Sequence, residues 1–427
     1  MSVFAKVKAS RSRSLKSVLG GVAMVAVGAM VLVGCSPTDD AAPEKPGSGE
    51  ELVLKIGGIT PLSGQLAFLG PPQVAGYELA AKEINAADMG IKIELTIEDE
   101  GDPENKAYAT TVSNLINRGV DAIVGAAASG VSLLIIDQII GAGIVMVSPS
   151  NTTPALTEYE DDGLYFRTAP SDLLQGEVLG NVIADDGHST LGILALNDAY
   201  GTGLDAAITE TFEGAGGEVV ASEYFNAGDT TYDAQINKIL AQKPDALALV
   251  TFDQSLTVIP ALAAAGFDLS KLYLVDGNTL QYGDDSSLPD LSLEGAKGTF
   301  AGAIMADDFW ADLQEVFSET NNGEVLKDTI YAGEAYDAVM VLALAALAAS
   351  STEGKDIAAK MQEVSGGSGD GETATDFKSA AQIIIDGGVV DYEGHSGGVA
   401  FNEFGDPTEA SIGVYQYDAS NNHTRIN

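Results

Sequence analysis

Hydroxyl and amide side chains gather in two loops in the first half of the chain, where they could hold a small polar ligand. In residues 125–130 (GAAASG), Ser129 stands before a predicted helix, and in residues 148–154 (SPSNTTP), Asn151 and Thr152 lie between two prolines. The structural alternatives are a helix cap for Ser129 and ordinary turn chemistry for the second loop. Both loops offer neutral donors and acceptors without a positive cluster, which suits a zwitterion or an amide better than a phosphate.

Aromatic and acidic side chains occupy comparable positions in the second half. Tyr200 lies in residues 197–201 (NDAYG), Phe252 precedes Asp253, and Asp276 begins the segment DGN. Aromatic rings supply apolar contact and a carboxylate supplies a partner for an ammonium, so the combination fits an amino acid. Asp198 and Asp253 are also typical of helix starts, and Asp276 could equally form an Asx turn.

The chain has one cysteine, Cys35, at the end of a segment with the features of an export signal. The first 17 residues carry five basic side chains and no acidic one, residues 18–33 are apolar or small, and Gly34 precedes the thiol. A basic stretch followed by an apolar one marks a secretory signal, and this apolar run is shorter than the ~20 residues that span a membrane. The segment resembles a bacterial lipoprotein signal, which implies cleavage before Cys35 and acylation of its thiol. A single-pass membrane anchor is the alternative.

Charge and composition exclude several classes of partner. The chain carries 62 acidic and 21 basic residues, for a formal net charge of −41. A field of this sign repels phosphate backbones and anionic lipid, so we expect no nucleic acid partner, and an acyl anchor would be the link to a membrane. A single cysteine permits no intrachain disulfide. The three histidines, His188, His395 and His423, lie far apart, so we expect no metal site and no cofactor.

Strand-like and helix-like segments alternate along most of the chain. Predicted strands cover residues 52–59, 91–98, 122–125 and 144–148, and then 190–196, 219–224, 246–251 and 272–275. Predicted helices cover residues 74–86, 105–119, 131–142, 203–215, 232–242 and 255–265. This alternation implies βαβ units and parallel sheets. Residues 331–349 are apolar enough for a membrane span, but Glu334, Asp337 and the alanine content favour a packed helix. A hairpin signal lies around residues 404–407.

The two series, separated around residues 167–172, predict an α/β fold with two doubly wound parallel-sheet lobes joined by interlobe crossover strands. We assign residues 1–34 to the signal and 35–50 to a flexible tether. Residues 51–169 and 301–392 form the predicted N-terminal lobe, and residues 170–300 and 393–427 form the C-terminal lobe. Ligands of open α/β sheets bind at the carboxyl ends of strands, so we expect the site in the cleft between the lobes.

These loops resemble those of the type I periplasmic binding proteins, in the leucine/isoleucine/valine-binding family that serves ABC transporters. The similarity covers residues 54–417. Its most specific segments, in order, are residues 61–70, 76–85 (GYELAAKEIN), 147–157 (VSPSNTTPALT), 167–168, 198–201, 336–338, 392–394 and 396–397.

The resemblance implies which residues hold the charged groups of an amino acid. A serine hydroxyl and the Ser-Pro-x-x-Thr loop of such proteins hold the ligand carboxylate, at positions that match Ser129 and the pair Asn151 and Thr152. The acid that receives the ammonium falls near Asp276 or Asn278.

The resemblance also implies the walls of the site. A tyrosine after the second lobe's first strand matches Tyr200, and an aromatic residue after its third strand matches Phe252. The position before Gly70 is often aromatic in leucine-type binders, and here it is Leu69. That departure leaves branched-chain amino acids, other amino acids and amide or urea-like ligands as alternatives.

These features predict a monomeric, non-enzymatic receptor, exported and lipid-anchored on the outer face of the cytoplasmic membrane. It would capture a small polar solute in the cleft and deliver it to ABC permease subunits. A ligand-sensing domain for a signalling partner shares the fold and is the alternative. An exported hydrolase is less well supported, because the chain has no G-x-S-x-G, H-E-x-x-H or G-x-x-x-x-G-K motif.

Overall fold

A computed structural model describes residues 51–283, 288 and 290–427 of the chain. The described residues belong to one compact unit. The predicted signal at residues 1–34 and the predicted tether at residues 35–50, which begins with Cys35, lie outside the described residues.

The first sheet has five parallel strands in the order β2-β1-β3-β4-β5. Strands β3 and β4 are buried along their whole length, as expected for a parallel sheet that is covered on both faces. The elements of this part are β1 (Leu52–Thr60), α1 (Gly70–Ala87), β2 (Ile91–Asp99), α2 (Ala107–Arg118), β3 (Ala122–Gly125), α3 (Ser129–Gly141), β4 (Val145–Ser148) and β5 (Tyr165–Arg167).

The chain then crosses to a second βα series. Its strands β6 to β10 all pair in parallel, and the ladder that joins β10 to β9 is short. The elements are α4 (Asp172–Asp185), β6 (Thr190–Leu196), α5 (Ala199–Gly214), β7 (Glu218–Phe225), α6 (Asp233–Ala241), β8 (Ala246–Val250), α7 (Ser255–Ala264), β9 (Leu272–Leu274) and β10 (Lys297–Ala301).

After β10 the chain returns to the first lobe and adds helices to its core. These elements are α8 (Asp307–Thr320), α9 (Ala332–Ala349), α10 (Gly354–Val364), β11 (Glu372–Ala374), α11 (Phe377–Ile385) and β12 (Val390–Tyr392). Helix α9 is long and apolar enough to cross a membrane, but 89% of that apolar stretch is buried inside the protein. It lies in the same apolar core as α1 and the first sheet, which confirms the prediction of a packed helix.

The last segment completes the second sheet. Strands β13 (Ile412–Tyr417) and β14 (His423–Arg425) extend it antiparallel, in the order β14-β13-β10-β9-β8-β6-β7. The predicted hairpin around residues 404–407 is wrong as a strand pair: it contains one isolated bridge, between Phe401 and Pro407. The second β-rich run pairs with β10 and β14 instead.

Residues between β12 and β13 contact the first lobe. Val399 and Phe401 lie in its apolar core, and the rings of Phe401 and Phe166 are 5.3 Å apart. The two sheets and their apolar cores thus match the predicted two-lobe architecture, while the proposed lobe bounds stay a prediction.

Candidate functional site

Loops at the carboxyl ends of strands from both sheets enclose a small cavity between the lobes. Its volume is about 10 Å³, which is room for about one water molecule. Five of the six predicted ligand-binding residues line it. The full lining is Leu66, Leu69, Ala127, Ala128, Ser129, Ser150, Thr152, Tyr200, Phe252, Asp276, Gly277 and Tyr331. The topology therefore brings together loops that are scattered over more than half of the chain.

Direct hydrogen bonds between the lobes hold this cavity closed. The Gln65 side chain donates to the carbonyl of Ala227 at 2.7 Å and accepts from the Gln254 amide at 2.7 Å. The Thr153 hydroxyl donates to the carbonyl of Ala199 at 2.8 Å. A ligand larger than water can enter only when the lobes separate and these contacts break.

Ser129 is the first residue of α3, and Ala128 is the N-cap. The Ser129 hydroxyl oxygen accepts hydrogen bonds from the backbone N–H groups of Thr152 and Thr153, each at 3.3 Å. The helix-cap alternative is therefore wrong for Ser129. Its oxygen joins the two polar loops of the first lobe, while its own O–H remains available as a donor.

Asn151 and Thr152 are neighbours with different surroundings. The Asn151 amide donates to the carbonyls of Ala126 and Ala127 at 3.1 and 2.9 Å, and its oxygen accepts from the Tyr165 hydroxyl at 2.9 Å. These bonds use the Asn151 side chain to hold the loop, and Asn151 does not line the cavity. The buried Thr152 hydroxyl lines the cavity and has no hydrogen-bond partner in the described part of the chain.

Tyr200 and Phe252 form an aromatic wall on the second lobe. Their rings stack with centroids 5.2 Å apart and an interplanar angle of 18°. Asp198 positions Tyr200, because its carboxylate caps α5 by accepting from the N–H of Gly201 at 2.8 Å. The helix-start interpretation of Asp198 is confirmed.

Asp276 is buried at the centre of a hydrogen-bond network. It accepts from the hydroxyls of Tyr200 at 2.6 Å and Tyr331 at 2.7 Å, and from the Gln175 amide at 3.2 Å. Burial raises the pKa of Asp276, and these donors oppose the shift. The amide of Asn278 donates to the carbonyl of Leu249, near the end of a neighbouring strand, and Asn278 does not line the cavity. Of the two residues predicted to receive the ammonium, Asp276 is therefore the one that lines the cavity.

Asp172 is an acidic residue that the sequence analysis missed. It begins α4 directly after the first crossover, it is fully buried, and neither carboxylate oxygen has a hydrogen-bond partner among the described residues. Burial raises its pKa well above the usual range and the nearby charge of Asp276 raises it further. The Thr152 hydroxyl, which lies beside the carboxyl group without good hydrogen-bond geometry, and the charge of Arg167 oppose the shift. The sequence carries one signal for it: Asp172 ends the segment, residues 167–172, that separates the two predicted series.

Arg167 is buried near Asp172, but its charge is already neutralised by another acidic residue. It makes a two-point ion pair with Asp406, at 2.6 and 2.7 Å, and donates to the Thr153 carbonyl at 2.9 Å. It also donates to the Thr157 hydroxyl at 2.8 Å. Arg167 therefore anchors the loop that carries Thr152, and among the described residues that line the cavity none is basic.

Comparison with known proteins places this geometry in context. The sequence model of the periplasmic binding protein family matches residues 53–387. The chain is 33% identical over 189 residues to the leucine-, isoleucine-, valine-, threonine- and alanine-binding protein of Pseudomonas aeruginosa, a match of 44% of this chain and 50% of the relative. The chain thus spans half the length of that relative.

Longer matches exist in sequence and in structure. The chain is 27% identical to the chemotactic substrate-binding protein BasB of Halobacterium salinarum, over 81% of this chain and 83% of the relative. The crystal structure of the leucine binding protein LivK from Thermotoga maritima superimposes with a TM-score of 0.69 at 21% identity, covering 88% of this chain and 98% of that one. The structural match shows a shared fold.

Proposed function

The chain belongs to the periplasmic binding protein family, in its type I leucine/isoleucine/valine-binding branch, and from this we propose that it is the solute-binding receptor of an ABC importer for an amino acid. The proposal rests on one observation above all. Asp276 lines a closed cavity whose described lining has no basic residue, and a second buried acidic residue, Asp172, donates its backbone N–H to the carbonyl of Thr152, which also lines that cavity.

The acidic pair is suited to receive an ammonium group. A buried carboxylate is costly, so burial raises the pKa of Asp172 and favours its neutral form when the cavity is empty. A ligand ammonium would supply the missing positive charge and would favour ionisation of the pair. We therefore expect binding to release protons.

Donors on the first lobe are suited to the other end of the ligand. Ser129 and Thr152 each have a hydroxyl that can donate to a carboxylate, and charge-assisted bonds of this kind are the strong ones. Between the two ends, the rings of Tyr200 and Phe252 face Leu66 and Leu69 around the cavity. These apolar walls suit an aliphatic side chain, such as those of the amino acids that the Pseudomonas relative is named for.

Calorimetry of the purified chain against a matched panel tests this proposal. The panel contains leucine, alanine, acetamide, urea and benzoate, titrated in two buffers of different ionisation enthalpy. We expect an amino acid to bind with net proton release, which appears as a buffer-dependent heat. Binding of benzoate or acetamide with no binding of any amine would contradict the assignment of the acidic pair.

We also propose that the receptor is held outside the cell by an acyl chain on Cys35, as a monomer whose lobes are bounded as predicted above. The support is the order of basic, apolar and small residues before this thiol. The change Cys35→Ser should abolish incorporation of labelled palmitate and leave ligand binding unchanged. Continued labelling of the variant would disprove the anchor.

A further inference from the structure

A second and larger cavity lies beside the crossover segments that join the lobes. This hinge cavity has a volume of about 180 Å³, and its walls are residues 300–305, the start of α9, residues 395–396, Thr329, Tyr415 and Arg425. Two crossovers meet at its edge, where the N–H of Gly302 donates to the Ser411 carbonyl at 3.0 Å and the Ser411 hydroxyl donates back at 2.9 Å.

Glu334 is a buried acid that opens into the hinge cavity. Its side chain lies in the first turn of α9 and is 4% exposed. No other described residue donates a hydrogen bond to its carboxylate, whose Oε1 lies 3.3 Å from the point where a Cβ on Gly302 would stand. Burial raises the pKa of Glu334 to about 8. Within the part of the chain that the structure describes, this carboxyl group therefore has no cationic partner.

Arg425 lines the same cavity and carries the opposite charge. Its guanidinium donates to the Gly302 carbonyl and to the Asn427 side chain, both at 3.0 Å. Within the described residues, no ion pair of 4.0 Å or less joins Arg425 to Glu334. The two groups therefore share a cavity without contacting each other.

Aromatic rings complete the walls. Phe300 and Tyr415 stack with centroids 3.9 Å apart and an interplanar angle of 12°, and Tyr331 closes the side that faces the cleft. An acid, a base and aromatic surface around an open volume are the complement of a small zwitterion with an aliphatic or aromatic side chain.

We propose that the hinge cavity is a second binding site, for a small zwitterion whose ammonium contacts Glu334 and whose carboxylate contacts Arg425. This site is separate from the cleft and does not depend on which ligand the cleft takes. Tyr331 borders both cavities, and its hydroxyl donates to Asp276. A ligand in the hinge cavity would therefore contact Tyr331, which also lines the cleft. It would also lie against the two crossover segments that join the lobes.

L-Selenomethionine is a suitable probe, because its selenium reports position by anomalous scattering. Crystals of the mature chain are soaked with the probe, and the same probe is titrated by calorimetry in solution. We expect an anomalous peak in the hinge cavity and one binding event that Glu334→Gln removes. Because Gln has the shape of the neutral acid and Glu334 is mostly neutral at pH 7, this variant should fold normally.

The matched control is Glu213→Gln, at an exposed position on the second lobe. It should bind as the wild type does, and Arg425→Met should weaken the hinge event at least tenfold. Selenium found in the cleft but not in the hinge cavity would overturn the proposal. An unchanged number of sites in Glu334→Gln, with a melting temperature like that of the wild type, would overturn it as well.

Discussion

The two faces of the cleft are built from the same strand–loop–helix units, yet they leave different chemistry exposed. On the first lobe, Ser129 and Asn151 bind neighbouring backbone groups, whereas the hydroxyl of Thr152 has no hydrogen-bond partner of good geometry among the residues that the structure describes. On the second lobe, the rings of Tyr200 and Phe252 form a wall, and Asp276 is fully hydrogen-bonded. The two sides of the cleft therefore differ in chemistry: the first lobe presents neutral hydrogen-bond donors, and the second lobe presents aromatic rings and an acid.

This difference indicates where binding free energy arises. The hydroxyl of Thr152 and the carboxyl group of Asp172 lie on the first lobe and at the crossover. Among the described residues neither has a hydrogen-bond partner of good geometry, so a ligand contact there displaces no such bond. Asp276 must share its existing donors with any ligand. We expect changes at Thr152 and Asp172 to act mainly on affinity, and a change at Asp276 to act on affinity and stability together.

The largest effect should follow from breaking the anchor of the first face. The change Arg167→Met leaves Asp406 buried without its ion-pair partner, which typically costs about 3–5 kcal/mol of unfolding free energy. Urea unfolding measures this loss. The matched control is Lys238→Met, which removes an exposed ion pair with Glu223 and should cost under about 1 kcal/mol. Equal effects of the two variants would refute the anchoring role.

The change Asp172→Asn tests the unpartnered acid. It removes a charge-assisted contact with a ligand amine, which contributes about 1.5–3 kcal/mol, so affinity should fall roughly 10- to 150-fold. Stability should change little, because neither oxygen of this carboxyl group accepts a hydrogen bond of good geometry from a described residue. Asp276→Asn is the comparison: it disturbs the bonds from Tyr200 and Tyr331, and should lower both affinity and melting temperature. Calorimetry and thermal melts on both variants separate the outcomes.

Hydroxyl deletions on the first lobe should separate donors that differ in structural role. Thr152→Ala and Ser129→Ala should each weaken amino acid binding roughly tenfold or more, because each removes a donor to the ligand carboxylate. Only Ser129→Ala should also destabilise the fold, since its oxygen accepts two backbone N–H groups. Affinity unchanged in both variants would mean that the carboxylate binds elsewhere.

A pH dependence should arise from Glu100, which supports the first face from below. Its buried carboxyl group accepts from the N–H groups of Ala127 and Ala128 at 2.6 and 2.8 Å, and burial raises its pKa from 4.5 to about 8. Because the folded pKa is the higher one, the stabilisation is complete below pH 4.5 and is lost as the pH rises towards 8. The slope from one group is at most about 1.4 kcal/mol per pH unit.

Unfolding free energies between pH 5 and 8 measure this slope. Glu100→Gln should reduce the slope by the contribution of this one group, while the raised pKa values of Glu334, Asp172 and Asp276 maintain part of the dependence. A wild-type chain that gains stability over this interval would contradict the assignment.

Much of the architecture was readable from local pattern. The predicted strands at residues 122–125 and 190–196 have the observed bounds, because continuous apolar runs between turn residues have few alternatives. Strand β5 and helix α4 were not predicted, since three residues carry too little periodicity and α4 has no strongly apolar face. Helix α5 begins at Ala199, four residues before its prediction, because the capping carboxylate of Asp198 sets its start.

By itself, the sequence determined which segments alternate, that two series form two lobes, and that loops after strands would meet in a cleft. The tertiary structure alone decided which polar groups in those loops remain free. Asn151 is used by Tyr165 and two carbonyls, and Asp276 is joined to Tyr331, 55 residues away, and Arg167 to Asp406, 239 residues away. A hydrogen bond between residues so distant has no local periodicity, and it exists only after the loops have been brought together by packing of both cores.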